Sequence, residues 1–299
     1  MLRPYPCRLR PCLFMRVGLI GFPVAHSKSP LMQNAAFQMA GLPWTYELWN
    51  TPHEQVAERV AMIRADDEIA GANVTVPHKL NVMPHLDHIS EHARAIGAVN
   101  TICKVPAQGL PAQTGVSLLG DNTDWIGFLH DLEWNGVKLD APANALVLGA
   151  GGSARGIVYG LLRRNWHVTL VNRNVARAQV LATDMQRVFA SQDAIRVEAQ
   201  LGNRTMGEPT LIVNCTSAGM EPNDTTSPWL AEVPFPSSAT LYDLVYKPRV
   251  TTLMREAEAA GARVIGGIGM LAEQGAAAFE MWTGVPAHKV SQVMRDILN

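Results

Sequence analysis

One stretch narrows the possible folds more than any other: Gly149-Ala150-Gly151-Gly152-Ser153-Ala154. It directly follows the apolar run Ala145–Leu148 and leads into a helical pattern over Ser153–Arg164. Glycines placed between a buried strand and a helix allow a tight turn. They also let backbone N–H groups approach a pyrophosphate at the helix N-terminus. Without a ligand, the same residues read as a glycine-rich strand-to-helix turn. The next strand, His167–Val171, runs into Asn172 and Arg173, with Arg177 one helical turn further on. A site for NAD usually carries an acidic residue here to hold the ribose hydroxyls. Two guanidinium groups instead attract a 2′-phosphate and can bind it bidentately, so the pattern favours NADP. Read locally, the two arginines also fit a solvated helix start.

The 299 residues correspond to two domains at about 150 residues per domain. From Met15 the chain alternates strand and helix, which predicts layered α/β units with parallel pairing. The expected strands are Met15–Gly21, Thr45–Trp49, Gly71–Val76, Ala145–Leu148, His167–Val171, Leu211–Asn214 and Thr240–Leu244. Helices are expected over Pro30–Ala40, with Ser29 as cap, and over Glu54–Arg64, Trp125–Trp134, Val175–Phe189, Val250–Ala260, Met270–Thr283 and Pro286–Leu298. The stretch Pro106–Leu118 reads as a loop or hairpin. The predicted division is 15–121 plus 267–299 as one domain and 122–266 as the other, with the closing helices returning to the first. Residues 1–14, basic and broken by proline, read as an extension without ordered structure rather than a signal peptide.

Composition excludes several classes. Lys and Arg total 25 against 26 Asp and Glu, which argues against a dedicated nucleic-acid binder. No run of about 18 apolar residues marks a membrane helix. Cys7, Cys12, Cys103 and Cys215 form no Cys-x-x-Cys pair, so neither a zinc site nor a disulfide framework is indicated and a reduced cytoplasmic setting fits. His85, His88 and His92 are spaced to share a helix face and read as solvated rather than as metal ligands. Met254, Met270, Met281 and Met294 read as core fillers.

Candidate chemistry lies mainly in the first half. In His26-Ser27-Lys28-Ser29-Pro30 an extended backbone turns the Ser27 and Ser29 hydroxyls the same way, just before a helix start. That suits a small carboxylate, although Ser29 is also an ordinary cap residue. In Asn73-Val74-Thr75-Val76-Pro77-His78-Lys79 the strand ends at Val76, and Pro77 is expected to open a short helix with Lys79 in its first turn. A cation is misplaced there, and the field favours the neutral amine, which suits proton transfer. Asp124, in Gly120-Asp121-Asn122-Thr123-Asp124, reads equally as a helix-start carboxylate and as a partner for Lys79.

Together these segments resemble the shikimate dehydrogenase family. The matching pieces, in order, are HSKSP, NVTVPHK, GAVNT at Gly97–Thr101, GDNTDWIG, GAGGSARG, NRNVARA, NCTSAGM at Asn214–Met220, DLVYKPRVT and GGIGMLAEQG at Gly266–Gly275. The resemblance implies two domains, an α/β substrate domain and a Rossmann-type NADP-binding domain, with the active site in the cleft between them. It implies reversible reduction of 3-dehydroshikimate with NADPH, in aromatic amino-acid biosynthesis. It implies that Ser27, Ser29, Thr75, Asn100, Tyr246 and Gln274 contact the substrate and that Lys79 and Asp124 form the catalytic pair. Besides the glycine loop, Asn172, Arg173 and Arg177, it places Asn174, Thr216, Ser217, Leu244 and Gly267 at the cofactor. The partner is a small-molecule substrate, with no nucleic acid, membrane or catalytic metal, and the enzyme is a monomer or homodimer. Two other readings are a quinate/shikimate dehydrogenase that uses NAD and a catalytically silent NADP-binding regulator.

Overall fold

The computed structural model describes residues 14–106, 115–191, 193–202 and 209–299. Most of the expected N-terminal extension, and the centre of the expected loop or hairpin over 106–118, lie outside the described residues. The chain divides into two compact units. One runs to Gly127 and resumes over Leu271–Asn299; the other is Phe128–Met270.

The first unit is built on a mixed six-stranded sheet. Its strands are β1 (Met15–Gly21), β2 (Trp44–Asn50), β3 (Ile69–Val74), β4 (His88–Ile89), β5 (Thr101–Pro106) and β6 (Val116–Asp121), in the order β2-β1-β3-β5-β6-β4. β1 is parallel to both β2 and β3, whereas β5 is antiparallel to β3 and β6. β3 is buried along its whole length, as its apolar run requires. At the edge, β2 buries Trp44 and Tyr46 on one face, against Phe37 and Trp282, and Trp49 on the other, in the cluster that holds Val60 and Ile63. Helices α1 (Ser29–Met39), α2 (Val56–Ala65) and α3 (Glu91–Ile96) follow their strands. The first turns of α4 (Asp124–Trp134), most of α8 (Ile268–Thr283) and α9 (Ser291–Leu298) complete the unit. Val60 and Ile63 of α2 pack on Ile20, Ile69 and Ile102 of the sheet. Phe37 packs on Phe279, and the Trp282 indole donates to the Ile102 carbonyl at 2.9 Å.

Three local expectations are corrected. Ser29 is the first residue of α1, not its cap, because the Lys28 carbonyl accepts the first helical amides, from Leu31 and Met32, and no side chain caps the end. No helix follows Pro77. The Lys79 carbonyl accepts the Val99 amide at 2.7 Å rather than an amide of the next turn, and the segment makes successive turns instead. The helix-start field expected at Lys79 is therefore absent. His85, His88 and His92 share no helix face: they lie in a single 3₁₀ turn, in β4 and in α3 respectively.

The second unit has an all-parallel sheet. Its strands are β7 (Asn144–Leu148), β8 (His167–Val171), β9 (Ile195–Glu198), β10 (Leu211–Asn214), β11 (Thr240–Asp243) and β12 (Arg263–Gly266), in the order β12-β11-β10-β7-β8-β9. Read from β9, this is the 3-2-1-4-5-6 order of a dinucleotide-binding sheet, whose direction of winding switches between β7 and β10. Helices α5 (Gly152–Arg163), α6 (Val175–Phe189) and α7 (Thr252–Ala259) connect strands. Leu146, Ile212 and Leu241 pack with Leu253 and Ala257 of α7. In α4, Asp131 accepts a 2.5 Å hydrogen bond from the buried Tyr242 hydroxyl.

Gly71 shows how closely the first unit is packed. A Cβ at this position would lie 2.2 Å from the Ile102 carbonyl oxygen and 2.7 Å from Trp282 Nε1. Neither neighbour is the free end of a flexible chain. Gly71→Ala is expected to lower unfolding free energy by about 3 kcal/mol, the upper range for overpacking, as measured by urea unfolding.

Candidate active site

In the first unit, β3 ends at Val74 and the turns after it carry Lys79 inward. Asp124 opens α4, with its backbone N–H held by the Asn122 side chain at 3.0 Å. These two elements bring Lys79 Nζ to 2.6 Å from Asp124 Oδ2, with side-chain exposures of 10% and 4%. A pair this dry keeps its charges only when its remaining hydrogen-bonding capacity is also met. Asn100 meets that need on one side, as its Nδ2 donates to Asp124 Oδ1 at 2.8 Å. The same Nδ2 lies 3.1 Å from Gln274 Oε1, and Asn100 Oδ1 accepts the Thr123 amide at 2.8 Å. Gln274 is held in turn, because its carbonyl accepts the Thr123 hydroxyl at 3.0 Å. Gly127 lets α8 approach, since a Cβ there would meet the Gln274 backbone nitrogen at 2.5 Å.

A second chain of polar contacts begins at the serine pair. The Ser27 and Ser29 hydroxyls are 3.1 Å apart. Ser29 also lies close enough to influence Tyr46, whose hydroxyl donates to Asn73 Oδ1 at 2.8 Å. Asn73 Nδ2 then reaches the Asn100 carbonyl and Thr101 Oγ1, each at 3.2 Å. Burial pushes the Tyr46 phenol well above its usual range, with Ser29 opposing weakly. Thr75 begins the turn that leads to Lys79; its amide donates to the Ile20 carbonyl, and its hydroxyl has no partner among the described residues.

Thus Lys79, Asn100, Asp124 and Gln274 converge directly, and Ser27 and Ser29 join them through Tyr46 and Asn73. Tyr246 belongs to the second unit, in the segment after β11. Reading the sequence did not single out Tyr46, Asn73, Asn122 or Thr123. Three of them stand inside quoted motifs. Tyr46 carried its own signal: it is a phenol at an inward position of β2, and such a group needs a partner for its hydroxyl.

In the second unit the glycine loop joins β7 to α5. Gly149 has φ +104°, and a Cβ there would be 3.1 Å from the Cys215 carbonyl carbon, so the end of β10 lies against this turn. Gly151 differs. Its backbone is extended, with φ −87° and ψ −174°, and a Cβ there would meet nothing within 4 Å. The fold itself does not need a glycine there, but a pyrophosphate drawn against the backbone would. Gly152 and Ser153 start α5, while Ala150 and Ala154 are buried. The Asn174 side chain caps α6 by accepting from the Arg177 amide at 3.0 Å, and Asn172 Nδ2 donates to the Asn174 carbonyl at 2.7 Å. Arg173 and Arg177 are exposed and have no carboxylate partner among the described residues. Thr216 is fixed at the end of β10, with Ser217 exposed beside it. Gly267 lets the chain pass close to Leu244, since a Cβ would be 2.5 Å from the Leu244 carbonyl oxygen. These residues fit a dinucleotide at the sheet's switch point.

A parallel 3-2-1-4-5-6 unit with this loop, joined in one chain to a unit holding a buried amine–carboxylate pair, defines a dinucleotide-dependent oxidoreductase. Residues 19–102 match the model of the shikimate dehydrogenase substrate binding domain, and 267–298 match that of the shikimate 5′-dehydrogenase C-terminal domain. The shikimate dehydrogenase (NADP(+)) of Salinibacter ruber is 43% identical over 288 residues, covering 93% of this chain and 96% of its own. That of Symbiobacterium thermophilum is 40% identical over 274 residues, covering 90% and 88%. The crystal structure of Thermus thermophilus shikimate 5-dehydrogenase, in complex with NADP(H) and shikimate, superposes with a TM-score of 0.79 at 37% identity, covering 95% of this chain and 99% of that one. The chain belongs to the shikimate dehydrogenase family. Among the described residues no helix is long and apolar enough to cross a membrane.

Tyr46→Phe isolates the second polar chain. It leaves Asn73 Oδ1 without its donor, and the expected cost at pH 7 is about 1–3 kcal/mol. The raised pKa means that the fold holds the neutral phenol. Tyr46's contribution is therefore complete below its ordinary value of 10.0 and is lost as pH climbs above it. Urea unfolding should show the gap between wild type and variant narrowing above pH 10.

Proposed function

We propose that Lys79 and Asp124 are the proton-transfer pair of an NADP-dependent shikimate dehydrogenase, which reversibly reduces 3-dehydroshikimate to shikimate in aromatic amino-acid biosynthesis. The observation that carries this reading is the 2.6 Å contact between Lys79 Nζ and Asp124 Oδ2. NADPH, when bound, supplies the hydride that goes to the ring ketone carbon. Negative charge then collects on the ketone oxygen. Lys79 stabilises that charge and delivers a proton to the oxygen; in the reverse direction its amine receives the proton from the alcohol. Asp124 holds the amine in place and accepts from a neighbouring ring hydroxyl. Asn100 fixes Asp124 and, with Gln274 and Thr75, orders the remaining hydroxyls. Ser27 and Ser29 receive the ring carboxylate, and Tyr246 is a further substrate contact.

Arg173 and Arg177 support NADP over NAD, because each offers a guanidinium to the 2′-phosphate. The glycine loop, Asn172, Asn174, Thr216, Ser217, Leu244 and Gly267 complete that contact surface. The serine pair together with the two arginines supports shikimate and NADP over quinate and NAD.

Activity is read as absorbance at the NADPH band with shikimate and NADP. Lys79→Ala should cut kcat by about 10²–10⁴ while KM for shikimate moves far less. A variant with near-normal kcat overturns the role. Asp124→Asn keeps the shape but not the charge, and kcat should fall at least about a hundredfold. Arg173→Asp should collapse the NADP:NAD ratio of kcat/KM; an unchanged ratio removes Arg173 from the cofactor site.

A further inference from the structure

The stretches NCTSAGM and DLVYKPRVT contain polar residues that the proposed chemistry leaves unexplained: Asn214, Asp243 and Thr251. All three side chains are fully buried and form one cluster at the carboxyl ends of β10 and β11. Asp243 Oδ1 accepts from Asn214 Nδ2 at 2.9 Å and from the Val245 amide at 3.0 Å, and Oδ2 accepts from Thr251 Oγ1 at 2.7 Å. Asn214 Oδ1 in turn accepts the Thr216 amide at 3.0 Å and the Thr216 hydroxyl at 2.7 Å. Thr251 caps α7 and also lies against the Thr216 loop, for a Cβ on Gly219 would be 3.2 Å from Thr251 Cβ.

A buried carboxylate surrounded only by neutral donors is a costly choice for holding a fold together. No cationic side chain pairs with Asp243 among the described residues, and burial pushes its carboxyl up despite the three donors. A carboxylate does offer acceptors on every side. An amide at this position could keep the two Oδ1 arms but would turn an N–H toward Thr251, whose hydroxyl would have to reverse from donor to acceptor. The three arms lead to separate stretches of chain: the Thr216 loop through Asn214, the Leu244–Tyr246 segment through Val245, and α7 through Thr251. The first two border the glycine loop and Gly267, because Gly149 abuts Cys215 and Thr216 while Gly267 abuts Leu244.

We propose that Asp243 is a positioning residue for both ligands: touching neither, it locks the Thr216 loop and the Leu244–Tyr246 segment into one arrangement. The inference rests on the reading of Thr216, Ser217, Leu244 and Tyr246 as ligand contacts.

The test uses the full chain. NADPH affinity is read from the fluorescence of the bound nucleotide, alongside the KM for NADP and for shikimate, kcat and the melting temperature. Asp243→Asn should weaken NADPH binding and raise both KM values by about tenfold, the size of a coupling lost within one hydrogen-bond network. If that variant does not fold, Thr251→Val removes the Oδ2 arm together with the α7 cap and should raise both constants severalfold, whereas Thr251→Ser, which keeps the hydroxyl for both contacts, should return them to within about twofold of wild type. A lowered melting temperature with wild-type nucleotide affinity and wild-type KM values, in whichever variant folds, would make Asp243 purely structural and overturn the proposal. Ser217→Trp separates the underlying reading. It places bulk on the exposed loop, so unchanged NADPH affinity there removes the loop from the cofactor site and the inference with it. Weakened binding by Ser217→Trp beside unaffected Asp243 and Thr251 variants overturns the positioning role alone.

Discussion

A charged amine and a carboxylate at 2.6 Å, both nearly dry, form the interaction that most of the first unit is arranged to permit. Burying two ions costs more than their attraction returns unless the leftover lone pairs and protons are satisfied. That requirement explains why amide side chains surround the pair. Asn100 holds Asp124 from one side, and Asn122 fixes the backbone on which Asp124 starts α4. Two separate strands must then end at matching heights, one carrying the turns to Lys79 and the other reaching Asp121. The antiparallel β3-β5-β6 pairing achieves this, with Asn73 opposite Thr101 and Thr101 opposite Asp121.

The polar relay from Ser29 through Tyr46 and Asn73 gives the same unit a second kind of order. Its members come from α1, β2, β3 and the start of β5, so no single element can shift without disturbing a neighbour. Such a network ties the Ser27–Ser29 pair to Asn73 and Asn100 through the sheet itself. The distance between the serine pair and Asn100 is then set by strand spacing rather than by loop conformation.

The sequence alone revealed the parallel unit better than the mixed one. Repeated apolar runs followed by amphipathic helices predict β7, β8, β10 and β11, and the glycine loop marks the turn from β7 into α5. The short edge strands β9 and β12 escaped because Arg196 and Arg263 break the apolar run. In the first unit the loop or hairpin expected over 106–118 does fall between two paired strands, but the strands themselves, β5 and β6, were not legible, since Lys104 and Ser117 interrupt any apolar stretch. Lys79 and Asp124 were legible as individual residues, but their meeting was not: 45 positions separate them, and only the sheet register joins them. The expected helix at Pro77 failed because the carbonyl of Lys79 had a long-range partner in Val99, a contact invisible to local pattern.

Among the glycines, Gly151 stands apart. Gly71, Gly127 and Gly267 are demanded by neighbouring protein atoms, and Gly149 by its backbone angles as well. Gly151 is demanded by neither, since ordinary residues adopt its φ and ψ and only empty space faces its Cα. The scaffold is therefore indifferent to what stands at this position. Bulk introduced there is expected to leave folding alone, so any effect it has on turnover can be assigned to a bound ligand rather than to the scaffold.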